Sequence, residues 1–175
     1  IGFDGAVTTG GAFAGVGDEL IVSRLMTAAE VARLSAAFEA RGIHWYYQSF
    51  DRMFASPGLP ALLADRLERD RARHIEDARA AGADPEELEF FSVGMKTFDD
   101  EVHFSDAEVA KAVILGHDAD AVADLLEQLA PDFAVVSGTI PLPEGSSGEV
   151  APRGVNKGAA ILEVLAHLGV DPSDA

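Results

Sequence analysis

The stretch "EVAPRGVNKGAAILEVLAHLGVDPSDA" (residues 149–175) carries the clearest helix pattern of the sequence. Asn156 is a favourable N-cap residue, and Gly169 supplies the left-handed conformation that ends many helices. Between them, apolar residues recur at helical spacing, at Ile161, Val164, Leu165 and Leu168. The pattern predicts a helix over residues 157–168 with Lys157 at its first position.

Lys157 is unusually placed for a cation. The N-terminus of a helix is the positive end of its dipole, so a lysine there costs about 0.3–1 kcal/mol unless an anion lies nearby. Free backbone N–H groups at a helix start bind phosphates, and Gly158 in the first turn would let a ligand approach closely. The position therefore predicts an anion site, while a solvated surface lysine remains the alternative.

The composition predicts a soluble globular domain that avoids polyanions. The chain has 175 residues, is 48% hydrophobic and has a net charge of −17, which allows one full domain with its own core. Nucleic acid and anionic membrane surfaces would be repelled by this charge. No cysteine is present, which excludes disulfides, thiol catalysis and cysteine zinc sites. Because the sequence has neither a membrane-spanning run nor a secretion signal, we expect a cytoplasmic protein.

The rest of the chain is predicted to alternate between strands and helices. The expected elements are a hairpin at 12–25, a helix at 27–42 opened by a Thr27–Glu30 capping box, a strand at 43–49, a helix at 57–81, strands near 90–93 and 112–115, a helix capped by Asp118, a strand at 133–136 and a loop at 139–149. The predicted fold class is α/β. We expect a mostly antiparallel sheet with helices on one side, followed by a final segment that belongs to another unit.

Three stretches resemble the Cof-type phosphatases of the haloacid dehalogenase superfamily, whose cap is of the α/β type IIB. Residues 149–158 match a Glu-hydrophobic-x-Pro-x-Gly-Val-x-Lys-Gly string that opens a core helix in that family. Residues 4–43 resemble the entry into the cap, and residues 111–129 resemble the strand and helix near its end. The resemblance implies a core segment at 1–11, a cap at 12–148 and a second core segment at 149–175, as the remnant of a Rossmann-like core.

The resemblance also implies an activity and a set of site residues. A phosphoric monoester hydrolase of this family uses Mg²⁺ and an aspartyl-phosphate intermediate, here on a small phosphorylated metabolite such as a sugar phosphate. Lys157 would bind both the nucleophilic aspartate and the substrate phosphate. The other implied substrate-binding positions are Asn156, Gly158, Gly10, Gly11 and Arg153. Loops that follow strands are expected to contact the leaving group, at residues 49–53, 94–98 and 137–140.

The family's nucleophile and metal ligands are not found in this sequence. Asp118-Ala119-Asp120 has the spacing of the nucleophile motif, but Asp118 is better explained as a helix N-cap. In the opening "IGFDGAV" the nucleophile position falls on Gly2, which has no side chain. We therefore expect the catalytic aspartate and the Mg²⁺ ligands to lie outside this chain, and the chain alone to be inactive. The alternative is a stand-alone α/β ligand-binding or interaction module without catalysis.

Overall fold

The computed structural model describes residues 4–82, 108–138 and 146–174. Its helices and strands are β1 (Gly5–Thr8), β2 (Phe13–Val16), β3 (Glu19–Ser23), α1 (Ala28–Glu39), β4 (His44–Gln48), β5 (Met53–Ala55), α2 (Leu59–Ala80), β6 (Lys111–Gly116), α3 (Ala119–Leu129), β7 (Phe133–Ser137), β8 (Ser146–Pro152) and α4 (Lys157–Leu168). Short 3₁₀ turns lie at Thr9–Gly11 and Pro172–Asp174. The strand predicted near 90–93 and the loop predicted at 94–98 lie outside the described residues.

A five-stranded antiparallel sheet forms the large lobe (described residues 26–82, 108–138 and 146–152), in the order β5-β4-β6-β8-β7. Helices α1 and α3 pack on one of its faces, and their apolar residues join a single core with those of the strands. The predicted caps are present: Thr27 and Glu30 form the capping box of α1, and Asp118 caps α3. The expected α/β class, an antiparallel sheet with helices, is confirmed.

Helix α2 adds a layer on the opposite face of this sheet. Side chains alternate along β6, so Val113 and Leu115 point away from the face that holds Ile114. These two residues form a second buried cluster with Leu59 at the start of α2. The sheet is therefore covered on both faces rather than on one.

Strand β8 corrects the last four residues of the loop predicted at 139–149, whose residues 139–145 lie outside the described residues. From Ser146 the chain is extended, and it pairs with β6 on one side and β7 on the other. The Ser-Ser-Gly-Glu composition is typical of loops, but pairing on both edges overrides that local preference. The division predicted between residues 148 and 149 therefore falls inside a central strand.

The small lobe (residues 4–25 and 153–174) consists of the antiparallel sheet β1-β2-β3 and helix α4. Ala14, Val22 and Ala160 form its buried centre, and the Arg24 guanidinium bonds the Glu163 carboxylate of α4 at 2.9 Å. The predicted hairpin is confirmed as β2 and β3. It packs mainly against α4, and Phe13 at its start contacts the large lobe at Ala110.

The chain crosses between the lobes twice, once after β3 and once after β8. Both crossing segments meet in one cluster, the junction cluster, which contains Ala12, Phe13 and Ala110 with Leu25 and Val155 packed against them. The Met26 amide also donates to the Val109 carbonyl oxygen at 2.7 Å. Among the described residues, no helix combines the length and the apolar composition that a membrane span requires.

Candidate functional site

A cleft of about 850 Å³ opens where the two lobes face each other. The small lobe contributes the end of β1, the turn that follows it and the start of α4, through Val7, Thr8, Thr9, Gly10 and Lys157. The large lobe contributes Lys111 and the connection between β4 and β5, residues 48–53. The cleft thus brings together parts of the sequence that are up to about 150 residues apart.

Lys157 is the first residue of α4, as the sequence predicts, and it lies at this cleft. Its side chain is exposed, and its ammonium group makes no ion pair with any residue in the described ranges. A cation that remains unpaired beside the positive end of a helix dipole favours the arrival of an anion. The exposed, unpaired lysine at this helix start is the feature from which the sequence predicts an anion site.

Asn156 fixes the start of this helix. Its side-chain oxygen accepts from the Ala159 amide at 2.8 Å, and its side-chain nitrogen donates to the Gly154 carbonyl oxygen at 3.2 Å. Both polar ends of the side chain are therefore engaged in local bonds. Asn156 positions Lys157 through the backbone.

The three glycines around Lys157 differ in how closely other atoms approach them. Gly11 has φ of 103°, and a Cβ there would lie 2.3 Å from the carbonyl carbon and oxygen of Asn156. Gly10 has φ of 71° and lines the cleft, but a Cβ there would meet no heavy atom within 4 Å. Gly158 lies in the first turn of α4, where a Cβ would be 3.3 Å from the Asn156 side-chain oxygen. Of these positions, Gly11 is the one that lets the turn touch the start of α4.

Arg153 bonds the large lobe. Its guanidinium donates to the Ala130 carbonyl oxygen at 2.8 Å, at the C-terminal end of α3. A cation there interacts favourably with the negative end of that helix dipole. This bond ties the second crossing segment to the large lobe, and the predicted substrate contact of Arg153 stays a prediction.

The sequence reading missed Lys111 and Thr9. Lys111 begins β6, whose other residues are all buried, so a charged side chain at the head of an apolar strand was the available signal. Thr9 has φ of 49°, a left-handed conformation that is uncommon for a residue with a Cβ. Such conformations occur often at functional sites. The connection at 49–53 was predicted as a substrate-contacting loop, and the structure places it on the cleft.

A metal site is not formed by the residues that the structure describes. Among the side chains that the structure describes, no group of three or more His, Asp or Glu residues is positioned to hold an ion. The Asp118 side chain accepts from the amides of Asp120 and Ala121 at 3.0 and 3.1 Å. Asp118 is therefore a helix cap, as interpreted from the sequence.

Comparison with known proteins places these observations in a family. The family model of the haloacid dehalogenase-like hydrolases matches residues 1–175. No curated protein matched the sequence.

Solved structures share the fold at low sequence identity. A hypothetical protein from Geobacillus kaustophilus is 16% identical with a TM-score of 0.62, covering 98% of this chain and 56% of that one. A haloacid dehalogenase subclass IIB sugar phosphatase is 18% identical with a TM-score of 0.60, over 96% of this chain and 54% of that one. A haloacid dehalogenase-like hydrolase from B. subtilis is 12% identical with a TM-score of 0.61, over 94% and 59%. The chain thus spans little more than half the length of these structures.

Proposed function

The chain belongs to the haloacid dehalogenase-like hydrolase family, and from that membership we propose that it forms the cap and part of the core of a phosphoric monoester hydrolase. The proposed substrate is a small phosphorylated metabolite, with a sugar phosphate as the first candidate because one similar structure is a sugar phosphatase. The cleft volume of about 850 Å³ lies within the range usual for small-molecule sites.

The observation that carries the proposal is the unpaired ammonium group of Lys157 at the start of α4, facing the cleft. Phosphoryl transfer needs fixed positive charge beside the transferring group, because negative charge builds up on its oxygens. A lysine held at a helix start supplies that charge together with the helix dipole. In the proposed enzyme Lys157 holds the substrate phosphate and a nucleophilic aspartate.

The remaining site residues have supporting roles. We assign Asn156 and Gly11 to positioning the start of α4, and Gly10 and Gly158 to leaving space for the phosphate. The proposal includes Mg²⁺ for the complete protein, in which it would neutralise phosphate charge. The described residues do not form a site for it. As the family resemblance implies, the proposal assigns the nucleophile and the metal ligands to sequence beyond these residues.

The contacts support a domain division that differs from the one read from the sequence. The hairpin β2–β3 packs with α4, and β8 pairs within the large sheet. We therefore propose that residues 26–152 form the cap and that residues 4–25 and 153–174 belong to the core. We retain the expectation of a cytoplasmic protein that binds neither nucleic acid nor membrane.

The second candidate is a stand-alone module that binds a phosphorylated ligand without turnover. It is favoured by the same unpaired lysine, since anion binding requires no nucleophile. The two candidates differ in what a longer reading frame would contain. A strand ending in Asp-x-Asp upstream and an acidic segment downstream support the enzyme, whereas natural termini near Ile1 and Ala175 support the module.

The test is Lys157→Ala in the full-length protein, assayed against a panel of sugar phosphates, nucleotides and cofactor phosphates. We expect turnover to fall by about 100-fold or more, as is common when one charge-stabilising group is removed. Unfolding should be unaffected because the side chain is exposed.

The matched control is Arg41→Ala, which also removes one positive charge. Arg41 bonds the Ala37 carbonyl oxygen and the Gln128 side chain on the outer surface of the large lobe, so its loss should leave turnover within about twofold. An unchanged rate for Lys157→Ala would overturn the assignment of Lys157.

A further inference from the structure

Lys111 is the second ammonium group on the cleft, and it comes from the large lobe. Its side chain is 11% exposed, and its Nζ lies 2.8 Å from the Glu149 carboxylate on the neighbouring strand β8. Burying a lysine is costly unless it is paired, and Glu149 supplies the partner. An ammonium group has three N–H donors, so one bond to Glu149 leaves donors for a ligand.

The cations of the cleft differ in their pairing. Lys157 on the small lobe has no acidic partner among the described residues. On the large lobe, Lys111 is paired with Glu149 at 2.8 Å, and Arg52 lies 3.8 Å from Asp51. One wall of the cleft therefore presents an uncompensated positive charge, and the facing wall presents charges that are locally neutralised.

Uncharged hydrogen-bonding groups lie beside Lys111. Gln48 is directly opposite Lys111 in the pairing of β4 with β6, so their side chains are neighbours on one face of the sheet. Ser49 follows in the tight connection, where its amide donates to the Arg52 carbonyl oxygen at 2.9 Å. All of these residues line the cleft. Together they offer amide, hydroxyl and ammonium groups in a wall that carries little net charge.

We propose that Lys111, held by Glu149 and flanked by Gln48, binds the leaving group of the substrate, and that this leaving group is an uncharged polyhydroxylated chain or ring. The inference rests on the proposed function, in which Lys157 takes the phosphate. A hydroxyl oxygen can accept from the Lys111 ammonium group without disturbing its pair with Glu149. A second phosphate or a carboxylate would lose its hydration against a pair whose net charge is zero, and the Glu149 carboxylate would repel it. Lys111 is then a specificity-determining residue, and Glu149 is a positioning residue that sets its charge environment.

The experiment uses two substrates of matched length, sorbitol 6-phosphate and 6-phosphogluconate. At the end opposite the phosphate, sorbitol 6-phosphate has a hydroxymethyl group and 6-phosphogluconate has a carboxylate. In the full-length protein, we expect kcat/KM to be at least tenfold higher for sorbitol 6-phosphate. Glu149→Gln leaves the positive charge of Lys111 uncompensated. It should raise kcat/KM for 6-phosphogluconate relative to that for sorbitol 6-phosphate at least tenfold. An unmoved ratio, or a wild-type preference for the carboxylate, overturns the proposal.

Lys111→Met tests the contact itself, since it keeps the length and apolar stem of the side chain. We expect its loss of kcat/KM for sorbitol 6-phosphate to be at least tenfold greater than for p-nitrophenyl phosphate, and to appear mainly in KM. Equal losses for both substrates would assign Lys111 to the architecture of the lobe and overturn the proposal.

A binding measurement separates this inference from the proposed function. Titration calorimetry of the 175-residue chain with inorganic phosphate and with sorbitol 6-phosphate needs no turnover. We expect Lys157→Ala to weaken both ligands, and Lys111→Met to weaken sorbitol 6-phosphate at least fivefold more than phosphate. If the full-length protein shows no turnover while this pattern holds, the hydrolase assignment fails and the hydroxyl-binding subsite stands. If both ligands respond equally to Lys111→Met, the subsite fails whatever the activity.

Discussion

Helices α3 and α4 are almost equal in length, with 11 and 12 residues, yet they are buried very differently. In the large lobe, α3 buries four apolar side chains, Val122, Leu125, Leu126 and Leu129. In the small lobe, α4 buries Ala160, while Ile161, Leu162 and Leu168 are 46–52% exposed. An apolar stripe at helical spacing is thus buried in the large lobe and largely exposed in the small lobe. An apolar stripe predicts that a helix forms, and the surrounding fold decides how much of the stripe is covered.

The largest expected effect on stability tests this difference directly. Leu125 is 0% exposed in the core of the large lobe, so Leu125→Ala should lower the free energy of unfolding by about 2–5 kcal/mol. The matched variant is Leu162→Ala on α4, where the side chain is 52% exposed; we expect a change within about 0.5 kcal/mol. Urea unfolding followed by circular dichroism measures both. Similar losses for the two variants would mean that α4 is covered as well as α3.

The next effect tests the contact between the small lobe's turn and its helix. A methyl group at Gly11 would overlap the Asn156 carbonyl, whereas at Gly10 it would meet nothing within 4 Å. Both positions have positive φ, so Gly10→Ala should cost about 1 kcal/mol from backbone strain. Gly11→Ala should cost about 1–3 kcal/mol more because the start of α4 must move. Unfolding free energies of the pair check this, and equal costs would contradict the close approach.

The smallest effect concerns a polar contact inside the large lobe. The buried Tyr47 hydroxyl lies 2.9 Å from the Ser35 hydroxyl and donates to the Val31 carbonyl oxygen at 3.2 Å. Tyr47→Phe should cost about 1 kcal/mol, the usual value for a buried hydrogen bond. Urea midpoints at neutral pH measure this, with Ser35→Ala as the reciprocal variant. No loss in either variant would show that the bond contributes nothing net.

The same tyrosine predicts a dependence on pH. Burial raises the pKa of Tyr47 well above its ordinary value of 10.0. The pKa of Tyr46 is also raised, mainly by burial and to a smaller extent by the negative charge of Glu149. A folded-state pKa above the unfolded one gives stability that is present below about pH 10 and is lost as the pH rises towards the folded value. The wild-type protein should therefore lose stability as the pH rises above about 10, and Tyr47→Phe should lose less. Equal losses would contradict the raised pKa of Tyr47.

Local signals in the sequence were sufficient for the helices. The capping box at Thr27, the cap at Asp118 and the Asn156–Gly169 pair each mark a helix by interactions within a few residues, and the structure has all three helices. Strand β8 could not be read in this way. Its first residues have the composition of a loop, and they are extended because β6 and β7 hold them on both sides.

The residues of the candidate site also differ in whether a local sequence pattern marks them. Lys157 was found because its helix start is a local pattern, and a family resemblance gave that start a role. The facing wall is assembled from residues 48–53 and Lys111, which only the folded sheet brings next to each other. The function of Gly11 depends on a contact with Asn156, 145 positions further along the chain. Spacing within one segment contains no information about such distances.

The two crossings of the chain determine how the cleft can change shape. Two lobes joined by one segment can rotate freely about it, whereas lobes joined by two neighbouring segments are restricted to rotation about the line between those segments. The junction cluster around Phe13 fixes that axis next to Leu25 and Val155. Phe50, which lines the cleft, places its ring edge-on against Phe13 of this cluster at 5.2 Å. A change in the angle between the lobes at this junction would alter the gap between Lys157 and Lys111 without breaking the pairing of either sheet.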